Sequence, residues 1–291
     1  MTSDLQEQED TQDGQIPGLG ILDILLHESS QIYQDAVAEA TSGGHRLAAT
    51  VTMFSGGNDS IIASHLFRDR ADYAGMCNTG IGIEKTRQFV RDTCQQWGLP
   101  LIEKHPRPGR TYRDMVLGKM ISTRGKSKGK PVTVGFPNQF THGVMYHWLK
   151  ERQMKDIRAD LVTGPNDRVI FISGVRKPES AKRKRTAQAV HRDGSIVWCS
   201  PLINWAKVDL NAYRRRFPGV PSNEVADCLH MSGECLCGSN AKAGELDEVG
   251  FWFPEVAAEI RALEEEARSL GIERCTWGGG SGSPCAGICN L

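Results

Sequence analysis

The sequence predicts an α/β protein built on a mostly parallel, doubly wound sheet. Short apolar, partly β-branched runs alternate with longer runs of helical periodicity. The first of these apolar runs, residues 47–54, leads directly into Gly56-Gly57. The alternation gives way after residue 217 to a stretch rich in Pro, Gly and Cys. Strands joined by helices need crossover connections, and such connections produce parallel sheets covered on both faces.

Taken in order, residues 18–40 place Ile21, Ile24, Leu25, Ile32 and Ala36 at helical spacing, and Ser42-Gly43-Gly44 breaks that helix. Residues 47–54 read as a buried strand and 61–67 as the helix after it. Residues 73–77 suit a second strand. Residues 84–97 suit a helix with Phe89, Val90 and Trp97 on its apolar face and Gly98 as its stop. A strand over 99–103, a helix within 135–155, and strands at 169–173 and 196–199 continue the pattern. Residues 255–270 form an amphipathic helix with Val256, Ile260, Leu263 and Leu270. Two stretches stand apart: 107–130, rich in Gly, Lys and Arg, reads as a mobile basic loop, and 218–244 reads as irregular.

Composition narrows the function classes. The chain has 291 residues, 35 basic and 35 acidic side chains and no net formal charge. Phosphate recognition therefore rests on local clusters and not on the field of the whole molecule. The acidic start (Asp4, Glu7, Glu9, Asp10, Asp13) lacks the basic and apolar parts of an export signal, and no apolar run is long enough to span a bilayer. The expectation is a cytoplasmic protein with no membrane partner and a disordered leader over residues 1–16.

The segment Ser55-Gly56-Gly57-Asn58-Asp59-Ser60 falls between a strand and a helix. Glycines there let the backbone approach a ligand, and the first N–H groups of the helix favour an anion. It lacks the Lys-Ser/Thr ending of a Walker A loop. A tight turn with an Asn/Asp helix cap is the plainer alternative.

Four blocks in order, over roughly residues 47–240, resemble the PP-loop ATP pyrophosphatase and PAPS reductase superfamily. They are Ser55–Ser60 as SGGxDS; Cys77-Asn78-Thr79-Gly80 with Glu84-Lys85-Thr86 as "NTG…ET"; Gly174-Val175-Arg176-Lys177-Pro178-Glu179-Ser180 as "GxRxxES"; and Ser200–Trp205 with Asp209 as "PLxxWxxxD". Val220-Pro221-Ser222-Asn223 adds the "lP-x-N" step. The resemblance implies an adenine nucleotide alpha hydrolase-like fold over 17–217. It implies ATP or an adenosine phosphosulfate (PAPS or APS) as the nucleotide, with Mg2+. Phosphate would be held by Ser55, Gly56, Gly57, Asn58, Asp59, Ser60, Gly174, Arg176, Lys177 and Arg183, with Asp59 and Arg176 also catalytic.

Nine cysteines form the second signal, and an odd number does not pair fully as disulfides. Cys228, Cys235 and Cys237 lie close in sequence within residues 218–291, with Cys275, Cys285 and Cys289 beyond. Clustered thiolates need a cation or cluster to offset their repulsion, and both zinc and iron–sulfur sites take four ligands. The Ser-Gly-Glu-Cys-Leu-Cys-Gly run resembles the "SGxCLCG" motif of a phage-type PAPS-reductase-like subgroup, whose relatives hold a 4Fe-4S cluster. That implies a cluster on Cys228, Cys235, Cys237 and Cys289, with zinc, or no metal, as alternatives. Cys77, Cys94 and Cys199 read as buried inert thiols.

The family carries out two reactions on one fold. In one, an acceptor is adenylated by ATP with loss of pyrophosphate, and sulfur then displaces the adenylate. In the other, a cysteine attacks an adenosine phosphosulfate and sulfite is released, a role open here to Cys285 or Cys289. The full SGGxDS and the lack of the reductases' Glu-Cys-Gly-(Leu/Ile)-His ending favour the first. A non-catalytic nucleotide- or nucleic-acid-binding protein is the alternative of another class. Residues 107–130 would then contact nucleic acid, or else cover the nucleotide's own phosphates as a lid. The acceptor, which includes nucleic acid among its candidates, and any sulfur or electron donor protein are not encoded in a readable motif. Family members often pair, which leaves room for a homodimer.

Overall fold

The structure, a computed structural model, describes residues 20–123 and 125–279. Its elements run as α1 Ile21–Thr41, β1 Arg46–Met53, α2 Asn58–Phe67, β2 Tyr73–Cys77, α3 Glu84–Trp97 and β3 Leu101–Lys104. There follow α4 Tyr112–Val116, β4 Met120–Ile121, β5 Pro131–Val132, α5 His142–Tyr146, α6 Arg152–Leu161 and β6 Asp167–Ile172. The chain continues through α7 Ala181–Thr186, β7 Val190–Asp193, β8 Ile196–Cys199, α8 Lys207–Arg216, α9 Glu224–Leu229, α10 Glu245–Trp252 and α11 Pro254–Ser269.

The main sheet has six strands in the order β3-β2-β1-β6-β8-β7. Every pairing is parallel except β7 with β8. This is the expected mostly parallel α/β sheet. β6 occupies the centre, and all six of its residues are buried. The Val-Ile-Phe-Ile run supplies that burial, and each such side chain contributes about 1.5–3 kcal/mol.

Helices cover both faces. α1, α2, α3 and α8 pack on one face through Ile32, Ile61, Ile62, Val90, Leu210 and Tyr213. α6 covers the other, where Ile157 meets Val51, Val169 and Phe171. A third apolar cluster joins Tyr112, Met115, Met145 and Leu149 to Val225, Leu236, Ile260 and Trp277, so residues on both sides of position 218 share a core.

Chain order gives the sheet its functional geometry. From β1 the chain moves outward through β2 and β3, then returns to lay β6 on the opposite side of β1. The segments leaving β1 and β6 therefore diverge at their carboxyl ends. That reversal opens a crevice where open α/β sheets bind ligands.

One expectation is corrected. The basic stretch 107–130 is not a structureless loop: within it lie α4 and the β4–β5 hairpin. A reciprocal capping box between Thr111 and Asp114 starts α4. Carboxylates distant in sequence fix its cations: Arg107 pairs with Asp156 at 2.7 Å, and Arg113 and Lys119 both meet Glu266. Arg110 lies over the Trp148 ring, 4.7 Å from its centroid.

Candidate functional site

A cleft of about 750 Å³ opens at the β1/β6 reversal. Its floor is the loop that the sequence singles out. Gly56 has φ +75°, and a Cβ there would come within 2.6 Å of Thr86 Cγ2. Gly57 caps α2 with extended backbone and no side-chain cap bond, leaving the first-turn N–H groups without a side-chain acceptor at the cleft. Ser60 folds back on the loop: its Oγ donates to Gly57 O at 2.8 Å and accepts from Ser55 N–H and Ser55 Oγ at 3.3 and 3.1 Å.

The segment after β6 closes over this floor. A Cβ on Gly174 would lie 2.7 Å from the Asp59 carbonyl carbon and 2.8 Å from Ser60 N, so only glycine allows the two chain segments to meet. Arg176, 8% exposed, donates from Nε to Asp59 Oδ2 at 2.8 Å and from Nη1 to Trp205 O at 3.1 Å. Its guanidinium is therefore anchored on the loop's own carboxylate. Glu179 stands nearby on the cleft wall. Burial pushes its carboxyl pKa up, Arg183 opposes that shift, and the Asp59 charge adds to it.

Of the residues expected to hold phosphate, Ser55, Gly57, Asn58, Asp59, Ser60, Gly174, Arg176 and Arg183 line the cleft. Gly56 shapes the loop from behind. Lys177 is not on the cleft wall, and its backbone N–H donates to Ile203 O at 2.8 Å.

The remaining blocks interlock behind the loop. Asn223 Nδ2 donates to Gly56 O at 2.8 Å and to Thr86 Oγ1 at 3.1 Å, and Thr86 Oγ1 donates to Ser232 O at 2.6 Å. Thr79 gives its N–H to Glu234 Oε1 and its hydroxyl to Glu234 O, both at 2.9 Å. The "NTG…ET" block thus fixes the cysteine-bearing segment against the loop.

Sequence reasoning missed several cleft residues. Arg214 donates to Asn58 Oδ1 at 2.8 Å and to Pro221 O at 2.9 Å, so it orients the first residue of α2. Its signal was the basic run that ends α8. Lys150 lines the far wall and meets Glu234 Oε2 at 3.3 Å; the Glu234 side chain is only 2% exposed. Burial works against the Lys150 charge, yet Glu234, Cys235 and Cys77 together raise its pKa. Lys150 lies in a π-helical turn over His147–Glu151, between α5 and α6, which no sequence period announces. Tyr146, Met154 and Trp198 complete an apolar wall beside Gly75 and Cys77.

Burial pushes the thiols of Cys77, Cys94 and Cys199 up to about 12, which keeps them protonated. Cys235 and Cys237 share a hydrogen bond, and Cys237 Sγ lies 3.1 Å from Ser239 Oγ. With Cys228, these two do not form a ligand set: among the described residues no group of three or more His, Cys, Asp or Glu side chains could hold a metal ion. Cys285 and Cys289 lie outside the described residues. No described helix is long and apolar enough to cross a membrane.

No protein-family model and no curated protein matches the chain. Solved structures of similar shape include phosphoadenylyl-sulfate reductase from Candida auris, at 15% identity and TM-score 0.45, covering 74% of this chain and 94% of that one. NMN synthetase from Francisella tularensis is similar at 13% identity and TM-score 0.41, with 79% and 93% covered. The U34-tRNA thiolase of Methanococcus maripaludis with its 4Fe-4S cluster is similar at 13% identity and TM-score 0.38, with 90% and 88% covered.

Proposed function

We propose that this chain is a PP-loop enzyme that binds an adenine nucleotide, with its phosphates at the N-terminus of α2, and transfers the adenylyl group of ATP to an acceptor. The observation that carries this reading is the uncapped start of α2 at the β1/β6 reversal, closed over by Gly174 and Arg176. Backbone N–H groups and the helix dipole suit phosphate there. The wall of Gly75, Met154 and Trp198 offers an apolar surface for a base.

Asp59 and Glu179 suit a hard divalent cation such as Mg2+, which binds carboxylate and phosphate oxygens and neutralises charge on a leaving pyrophosphate. Arg176, holding Asp59 from the buried side, acts as a positioning residue. In the reaction, an acceptor oxygen attacks the α-phosphorus, the bond to the bridging oxygen breaks, and pyrophosphate leaves on the α2 N–H groups. Sulfur transfer would follow if a donor's sulfide-level sulfur attacked the adenylated centre of the acceptor, breaking its bond to the adenylated oxygen, which leaves with AMP.

Reduction of an adenosine phosphosulfate is the second reading. It needs a thiolate at the nucleotide. Among the described residues Cys77 is the cysteine on the cleft wall, and burial keeps it protonated. The other candidates for that thiolate, Cys285 and Cys289, lie outside the described residues, and the full SGGxDS loop is what favours adenylyl transfer. No step is routed through a cluster, since Cys289, the fourth of its expected ligands, lies outside the described residues.

A product assay on anaerobically purified protein separates the readings. ATP is offered with pooled nucleic acid in one reaction, and adenosine phosphosulfates with a thiol reductant in another. Pyrophosphate from the first, with the AMP moiety on the acceptor or released from it by hydrolysis, supports adenylyl transfer. Sulfite from the second replaces it with sulfonucleotide reduction, and ADP with phosphate would rule out both.

A further inference from the structure

The two helices that flank the mouth of the cleft carry a concentrated positive charge. Arg183 of α7 and Lys207, Asn211 and Arg214 of α8 line the opening. Over residues 176–185 the sequence sets Arg176, Lys177, Lys182, Arg183, Lys184 and Arg185 against the single acid Glu179. Over residues 207–216 it sets Lys207, Arg214, Arg215 and Arg216 against Asp209. In a chain with no net charge this is a strong local excess.

Partners divide these cations into two groups. Arg176 pairs with Asp59, Arg183 with Glu179 and Arg216 with Asp23, while Arg214 donates to Asn58 and Pro221. Lys184, Arg185, Lys207 and Arg215 are exposed, and among the described residues none of them has an ion-pair partner. In the stretch 107–130, by contrast, Arg107, Arg113 and Lys119 are held by carboxylates, and none of its described residues lines the cleft. Of Lys184, Arg185, Lys207 and Arg215, Lys207 lines the cleft, and the other three lie on the same two helices. Like charges without partners on helices that share one opening repel each other, and a polyanion laid across them relieves that repulsion. α7 (Ala-Lys-Arg-Lys-Arg-Thr) has no large apolar side chain to enter a lipid surface.

We infer that the α7–α8 rim is the docking surface for a nucleic-acid strand, whose phosphodiester backbone crosses Lys184, Arg185 and Arg215 while one of its nucleotides enters the cleft as acceptor. The contact stands on the charge arrangement alone; the acceptor role rests on the nucleotide reading of the cleft.

The test is a titration of mixed-sequence single-stranded RNA and single-stranded DNA, followed by fluorescence anisotropy between about 50 and 200 mM salt. It compares the full chain with two triple variants. One is Lys184→Glu, Arg185→Glu, Arg215→Glu on the rim. The other is a charge-matched control, Lys126→Glu, Lys128→Glu, Lys130→Glu, in the basic stretch that does not line the cleft. Rim docking predicts salt-dependent binding by the unmodified chain. In the rim variant the logarithmic salt slope falls by about 0.7 per phosphate contact removed, and affinity drops at least tenfold. The control variant binds like the unmodified chain.

Absence of salt-dependent binding, equal loss in both variants, or tighter binding of an acidic polypeptide than of either nucleic acid would overturn the inference. ATP binding, measured in parallel, keeps the two readings apart. The rim variant retains it if the cleft reading holds, and an unmodified chain that binds RNA or DNA but no nucleotide leaves the rim standing and removes the cleft reading.

Discussion

The glycine loop at residues 55–60 and the cysteine segment at 228–237 are both short, distinctive sequence signals, yet the fold treats them differently. The loop enters the cleft with most of its expected residues on the wall, joined by Gly174, Arg176 and Arg183 from a distant block. The cysteine segment contributes Met231, Ser232 and Glu234 to that wall, and none of its thiols lines it. A phosphate loop is mostly backbone geometry, set by neighbouring residues and one helix start. A metal site needs side chains gathered from several places, and one of the four expected here, Cys289, lies outside the described residues. In the described residues the segment braces the loop through Ser232 and Glu234, and Asn223, just before it, adds a bond to Gly56 O.

The sharpest way to break this contrast is at Asp59. Asp59→Ala should lower adenylyl transfer by about 10²–10³-fold, with the circular dichroism spectrum unchanged. Full activity in that variant would remove the loop from the chemistry. Arg176→Leu leaves Asp59 without its partner and empties a buried position. A destabilisation of about 3 kcal/mol in urea unfolding is expected, together with a drop in nucleotide affinity.

Asn223→Ala tests the brace. It breaks the bonds to Gly56 O and Thr86 Oγ1, so it should cost about 2 kcal/mol and weaken nucleotide binding more than Cys235→Ser does. The reverse ranking would mean that the thiols, not the brace, serve the cleft.

The smallest effect concerns acid. His65 sits in α2 with Nδ1 2.8 Å from Tyr213 Oη, and burial lowers its pKa from 6.5 to about 4. The folded state therefore binds fewer protons than the unfolded chain between those values. Stability is full above pH 6.5 and falls as the pH drops towards 4, by on the order of 1 kcal/mol once solvent screening is discounted. His65→Gln should flatten that slope in thermal unfolding followed against pH.

Much of this architecture was legible in the sequence because its signals are local. The strands at 73–77 and 196–199 and the helix at 84–97 fall where periodicity places them, and Gly98 ends that helix at φ +63°. β7 was missed: Val190–Asp193 is a partly exposed edge strand, so it has no apolar run to announce it. α8 was missed because its residues are mostly polar, with Leu210 and Tyr213 alone buried.

The site was readable where one motif contributes several neighbours, as at Ser55–Ser60. It was not readable where a residue acts through a partner far along the chain. Lys150 facing Glu234, and Arg214 facing Asn58, are pairs that only the fold creates. The basic stretch 107–130 misled for the same reason, since Asp156 and Glu266 lie far from it in sequence.

If nucleotide phosphates rest on the first turn of α2, a crystal structure grown with a non-hydrolysable ATP analogue and Mg2+ will show them there. Phosphate oxygens are expected within hydrogen-bond distance of the backbone N–H groups of Asn58, Asp59 and Ser60, with the base against Gly75 and Trp198. Phosphates bound elsewhere, with that first turn untouched, would contradict this placement.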